Sequence, residues 1–169
     1  MTAIDTTPAQ LSEQNLGLLF QYTVEAYKTF EKLAENLPNP MAAKTFKKFA
    51  ADEREARDLI EMKYLASGTA RLRVTLGGDL LFQDMLEGEV SHRELAESLI
   101  ARERTMERKL TEWSRAAGPA DKSLLVYLAG GKRAHIVQLE RELELIRIDR
   151  DWLRREDAET RIVHGPKGD

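Results

Sequence analysis

The sequence contains no cysteine among its 169 residues. Disulfide bonds, zinc fingers, thiol catalysis and cysteine-ligated iron centres are therefore excluded. Long apolar runs are also missing, so we expect no membrane-spanning helix, and the first ten residues show no basic-then-apolar signal pattern. These absences favour a cytoplasmic protein.

An excess of one sign of charge is missing as well. Charged residues make up 33% of the chain, but 26 basic and 29 acidic side chains leave a formal net charge of only -3. The two signs are mixed along the sequence, which is typical of a solvated surface with many ion pairs. We therefore expect neither nucleic acid nor a membrane as a partner.

The residues that are present favour helices, because apolar side chains recur at helical spacing and strand-like alternation is lacking. This predicts an all-α protein with one domain of ordinary size. We expect a four-helix bundle over residues 12–148, between a loose lead-in over 1–11 and a charged C-terminal helical tail over 149–169. The four helices have these approximate predicted bounds: 12–36, 40–66, 91–117 and 121–148.

The connection between the second and third helices, from Gly68 to Glu89, is unusually long. Two antiparallel neighbours need only a few connecting residues. A chain that crosses the whole length of a bundle needs many more. We therefore expect one long crossover here, followed by a capping box at Ser91 and Glu94 that starts the third helix.

The most informative stretch is Leu125–Ile146, in which the apolar residues form one stripe of a helix. Lys132 and His135 interrupt that stripe, one turn apart. A buried ammonium and a buried imidazole cost free energy unless groups opposite pair with them. The sequence therefore predicts polar partners on the facing helices.

Each of the other three helices also has one polar residue in the middle of its apolar stripe. In the first helix the stripe runs through Phe20, Thr23 and Tyr27. Glu53 and Glu103 interrupt the stripes of the second and third helices. The two halves of the chain also repeat one spacing of apolar residues, which indicates two helical hairpins of one design. Bundles of this kind often build metal sites from inward-facing carboxylates and histidines.

This pattern resembles the rubrerythrin branch of the ferritin-like superfamily, over roughly residues 12–148 and without a rubredoxin domain. In that family each hairpin supplies a Glu on its first helix and Glu-x-x-His on its second, and together these side chains hold two irons that react with peroxide or oxygen. The resemblance implies a ferritin-like four-helix bundle with one long crossover and pairing into a homodimer.

Only half of the ligand positions that the resemblance implies are kept. Glu53, Glu103 and His135 stand where the family has ligands. The other three positions hold different residues: Thr23 in place of Glu, Ala56 in place of His and Lys132 in place of Glu. Two irons need about four anionic ligands, and the Lys132 ammonium would repel the iron cations.

Two interpretations stay open for this site. In the first, Lys132 pairs with both glutamates, His135 joins the network, and the protein is a non-catalytic binding or companion module without a cofactor. In the second, Glu53, Glu103 and His135 bind a single Fe, Mn or Zn ion while Lys132 swings aside. That protein would be a mononuclear metal protein of the oxidoreductase class.

The tail is dense in charge but includes four large apolar residues: Trp152, Leu153, Ile162 and Val163. One interpretation is a solvated extension of the fourth helix. The other is a docking arm, in which the apolar residues anchor on a second subunit or on a partner protein while the charges set the register.

Overall fold

The computed structural model describes residues 12–66 and 90–158. The lead-in, the crossover and the tail after residue 158 lie outside these residues. The described part contains α1 (Glu13–Asn36), α2 (Pro40–Ala66), α3 (His92–Ala116), α4 (Pro119–Ile148) and the 3-10 helix Trp152–Arg154. The predicted all-α bundle is confirmed at this level, and no described helix has the length and hydropathy needed to cross a membrane.

Local sequence signals set most helix ends. The Ser12 hydroxyl accepts a backbone N–H in the first turn of α1. Ser91 and Glu94 form the predicted capping box at the start of α3. Helix α4 begins two residues before its predicted start, because the ring of Pro119 is already set for the first turn of a helix.

The helices pack as two pairs, α1 with α2 and α3 with α4. Each pair is joined by a very short connection, so its two helices are antiparallel. The pairs meet where α2 faces α4. Lys63 near the end of α2 forms an ion pair with Asp121 in the first turn of α4, so these two helices also run in opposite directions.

The buried stripe of α1 differs from the predicted one. Tyr22 and Ala26 are fully buried, whereas Phe20 and Tyr27 are only half-buried. Thr23, on the predicted stripe, is buried as well. The buried face of α1 therefore keeps part of the predicted stripe and extends to the residues one position, or about 100°, away on the helix. Packing against the other helices decides how far it extends.

The chain reverses after α4 instead of continuing as one helix. Asp149 ends α4 in an extended conformation, and the following residues form a turn and the short 3-10 helix. Trp152 and Leu153 are 6% and 2% exposed, so they pack on their own chain. The helical extension predicted from residue 149 is therefore reduced to a single short turn within the described residues.

The side chain of Asn39 holds this turn against the start of α2. Its Oδ1 accepts two backbone N–H groups in the first turn of α2, at 2.9 and 3.1 Å. Its Nδ2 donates to the carbonyl of Trp152 at 2.7 Å, and its backbone N–H donates to the carbonyl of Leu153 at 3.2 Å. One residue thus caps α2 and anchors the chain that follows α4.

A buried charge network as the candidate functional site

Four ionisable side chains meet in the middle of the bundle. Lys132 and His135 project from one face of α4, Glu53 comes from α2, and Glu103 comes from α3. None of the four is more than 4% exposed. Because α4 packs against both α2 and α3, residues far apart in the sequence come together around its buried face.

The Lys132 ammonium lies at the centre of this network. Its Nζ forms a short ion pair with Oε1 of Glu53 and lies 3.2 Å from Oε2 of Glu103. It also lies 4.7 Å from the centroid of the Tyr22 ring, which presents an electron-rich face to the cation. Two carboxylates and one aromatic ring therefore offset the cost of removing the ammonium from water.

His135 connects the network to the surface of the bundle. Its Nδ1 lies 3.4 Å from Oε1 of Glu103 and 3.7 Å from Oε1 of Glu53. On the other side of the ring, Nε2 lies 2.9 Å from Oδ2 of Asp52, whose side chain is 41% exposed. The ring also packs on Phe49, with 4.3 Å between centroids, so its orientation is fixed by packing as well as by hydrogen bonds.

Burial and pairing shift the pKa values of Lys132 and His135 in opposite directions. Burial favours the neutral form of Lys132, but the charges of Glu103 and Glu53 outweigh it and raise the pKa of the ammonium. Burial likewise opposes the charge on His135. Hydrogen bonds to Asp52 and Glu103 overcome that effect, so the pKa of the imidazole is raised and the protonated form is favoured.

The two buried glutamates differ in their pKa shifts. For Glu103, burial is opposed by the Lys132 charge and by the His135 hydrogen bond, and the pKa is lowered. For Glu53, burial dominates over the same ammonium, and the pKa is raised. Oε2 of Glu53 is also buried without a hydrogen-bond partner in the described part of the chain. A proton on Glu53, or an additional cation, would satisfy this oxygen.

Tyr22 and Asp52 belong to the site although neither was predicted as a member. Burial raises the pKa of Tyr22 well above its ordinary value, and the charges of nearby Glu103 and Glu53 add to that rise. Each of the two residues directly precedes a position on a predicted stripe. A stripe one residue wide excludes such neighbours, although they are only about 100° away on the helix. A wider stripe would have included both.

Thr23 and Ala56 were predicted to border the network, and the structure treats them differently. Thr23 is buried, but its hydroxyl donates to the carbonyl of Phe20 at 2.7 Å, within its own helix. Tyr22 takes the position that faces Lys132. Ala56 does lie beside the network, where it helps to line a cavity of about 180 Å³ between α2 and α4.

The donor set suits one metal ion and does not suit two. One ligand atom from each of Glu53, Glu103 and His135 lies within 4.8 Å of the others. Two carboxylates and an imidazole are suitable ligands for Fe, Mn or Zn. Asp52 on Nε2 is placed like the carboxylates that often orient a metal-bound histidine. Two irons would need more anionic ligands, and the Lys132 ammonium contacts both available carboxylates.

Comparisons with known proteins identify no relative. No protein-family model matches the sequence, and neither the curated proteins nor the solved structures give a significant match. The function must therefore be argued from the bundle and its buried network.

Proposed function

We propose that this chain is a degenerate ferritin-like bundle in which a charge network replaces the metal centre, and that it acts as a non-catalytic binding or companion module. The observation that carries the proposal is the buried Lys132 ammonium in contact with the carboxylates of Glu53 and Glu103. It balances one buried negative charge, and a proton on His135 or on Glu53, whose pKa values are both raised, would balance the other. Side-chain cations then neutralise the buried carboxylates, which in the family are neutralised by iron.

The directions of the helices support the ferritin-like part of the proposal. α2 ends beside the start of α4, as the Lys63–Asp121 pair shows. α3 starts beside the end of α4, where the charge of Arg154 acts on His92. α2 therefore ends and α3 begins at opposite ends of the bundle, as the predicted long crossover requires.

Restoring the family's ligands tests the ferritin-like alignment. The combined change Thr23→Glu, Ala56→His and Lys132→Glu should produce a bundle that binds iron, measured by elemental analysis of the folded protein. The matched control carries the first two changes and keeps Lys132, whose ammonium should repel the metal. A folded triple variant that takes up no more iron than this control would contradict the alignment.

Metal analysis tests the charge-network function. The protein should be produced in medium supplemented with iron, manganese and zinc and purified without chelators. We expect substoichiometric metal, and we expect Glu103→Ala to leave the metal content unchanged. Stoichiometric metal that is lost on Glu103→Ala would refute the charge-network proposal.

That result would favour the second candidate, a mononuclear Fe, Mn or Zn protein, for which we propose the oxidoreductase class. It is favoured by the unpartnered Oε2 of Glu53 and by the three donor atoms within 4.8 Å of one another. Glu53, Glu103 and His135 would hold the ion, which would supply Lewis-acid or redox chemistry. Asp52 would keep the imidazole oriented, and the flexible Lys132 side chain would move away from the carboxylates.

We also propose a homodimer that pairs through the outer face of α4. Val126, Val137 and Ile148 are 49%, 65% and 82% exposed. They are spaced eleven residues apart, which is close to three helical turns, so they lie along one line of the helix. Neighbours on this line are about 16 Å apart, so a second copy packed along the helix would cover all three side chains. A protein partner for the tail beyond residue 158 and a cytoplasmic location stay predictions from the sequence.

A further inference from the structure

A groove of about 390 Å³ runs between α2 and α4 at the end of the bundle that carries the reversed tail. It is separate from the cavity beside the charge network. Three cationic and three apolar side chains line much of the groove: Lys44, Lys48, Arg141, Met41, Leu145 and Trp152.

The three cations of this groove are exposed, and the carboxylates nearest to them are Asp52 beside Lys48 and Glu142 beside Arg141. None of Lys44, Lys48 and Arg141 forms a contact ion pair within residues 12–66 and 90–158. From Pro40 to Ala51 the sequence contains no acidic residue at all. The groove therefore presents positive charge on a chain whose net charge is negative.

The neighbouring carboxylates hydrogen-bond other groups, although they feel the charge of the groove cations. Glu142 is the one acidic residue that lines the groove, and its Oε2 accepts the indole N–H of Trp152 at 2.7 Å. Other nearby acids pair away from the groove: Asp52 with His135, Glu140 with Arg104 and Glu144 with Arg147.

The charge and the apolar surface are separated along the groove. Because α2 and α4 run in opposite directions, Met41 near the start of α2 lies at the same height in the bundle as Leu145 near the end of α4. Trp152 closes this apolar end, with its indole fixed by the hydrogen bond to Glu142. Lys48 lies about two turns further along α2, towards the middle of the bundle.

We propose that this groove binds a small organic anion, in which a carboxylate or phosphate faces the cations and an apolar body lies against Met41, Leu145 and the small exposed part of Trp152. Its volume is within the usual range for small-molecule sites, about 300–1,000 Å³. Arg and Lys side chains bind carboxylates and phosphates through charge-assisted hydrogen bonds, and a flat indole suits an apolar or aromatic body. The proposal gives the binding module a class of ligand, and it does not depend on the state of the Glu53–Lys132 pair.

Trp152 provides a direct readout of binding. The chain has only two tryptophans, so Trp113→Phe leaves Trp152 as the single fluorescent indole. The probe is 4-iodobenzoate, which carries an anion on an apolar body and an iodine that quenches tryptophan. Its matched probes are 4-iodobenzyl alcohol, 4-iodobenzylamine and acetate. We expect saturable quenching with 4-iodobenzoate, binding at least about tenfold weaker for each matched probe, and weaker binding as salt increases. Acetate carries no quencher, so its affinity is measured by competition with 4-iodobenzoate.

Charge reversal locates the site. Lys48→Glu and Arg141→Glu should each weaken binding of 4-iodobenzoate by about tenfold or more. Lys47→Glu is the matched control, because Lys47 is exposed on the same helix but does not line the groove. It should change the affinity by less than about twofold. Circular dichroism and the melting temperature are the checks that each variant is folded, which we expect because the substituted residues are exposed.

Several results would overturn the proposal. Equal affinity for the alcohol would show that the cations do not recognise the ligand, and equal affinity for acetate would indicate an adventitious ion only. An equal loss of affinity with Lys47→Glu would show a general charge effect. Absence of saturable quenching of Trp152 would exclude the site. None of these outcomes bears on the charge network, which is tested separately by metal content.

Discussion

Replacing Lys132 by Met should destabilise the bundle by about 3–5 kcal/mol, because it leaves two buried carboxylates without their ammonium. The side chain of Lys132 is 5% exposed, and those of Glu53 and Glu103 are 1% and 0% exposed, so solvent cannot screen the loss. Met has nearly the length of Lys, and little of the effect should come from a cavity. The expected loss is a large part of the 5–15 kcal/mol that stabilises a typical domain.

The deficit of the Lys132→Met variant should depend on pH with a defined sign. In the wild type the pKa of Glu103 is lowered below 4.5, so its stabilising contribution is present above about pH 4.5 and is lost as the pH falls through the folded pKa. Without the ammonium, burial should raise that pKa, and the carboxyl group should be tolerated only when protonated. The difference between variant and wild type should therefore be largest near neutral pH and should shrink towards pH 4.

Urea unfolding followed by circular dichroism measures these free energies. The matched control is Arg133→Met, because Arg133 is adjacent in sequence but exposed and pairs with Glu107 at the surface at 3.2 Å. That control should cost less than about 1 kcal/mol. Adding Glu53→Gln to Lys132→Met should recover part of the lost stability, because both partners of one ion pair are then neutral.

Two results would refute the reasoning. A loss below about 1 kcal/mol for Lys132→Met would mean that the ammonium is not the counter-ion of the buried glutamates. A deficit that grows towards low pH would show that the carboxylates are not its partners. Either result would also remove the observation on which the charge-network function rests.

Three further predictions concern other parts of the structure. Because the pKa of His135 is raised above 6.5, its stabilising contribution should be full below about pH 6.5 and decline as the pH rises through the folded value; Asp52→Asn should lower that pKa, which NMR titration measures. Trp152→Phe should cost about 1–3 kcal/mol in urea unfolding, since it leaves the buried Glu142 without its donor. Val137→Glu should convert the proposed homodimer to a monomer in light scattering, and a wild-type protein that is already monomeric would contradict the dimer.

Much of the fold could be predicted because it depends on local signals. The capping box at Ser91 and the proline at the start of α2 fix helix ends through neighbouring residues alone, and the structure has both helices there. The reversal after α4 could not be predicted in the same way. Charged residues continue the helical composition past Ile148. Two hydrogen bonds hold the turn: the indole of Trp152 donates to the buried Glu142, and the side chain of Asn39 donates to the carbonyl of Trp152.

The candidate site shows the same division. Helical spacing placed Glu53, Glu103, Lys132 and His135 on facing stripes, and the structure brings them into contact. The position of Tyr22 against the ammonium depends on how whole helix faces pack, which a periodic pattern does not encode. Whether the cluster holds a metal stays a prediction.

Asn39 gives the bundle a property that neither hairpin has alone. It belongs to the α1–α2 turn, yet it is bonded to the chain beyond α4, so opening that turn also detaches the last described segment. Opening of the α1–α2 turn and release of the segment after α4 are therefore coupled. In native-state hydrogen exchange, the backbone amide of Asn39, which donates to Leu153, should exchange together with the amides of the turn after α4.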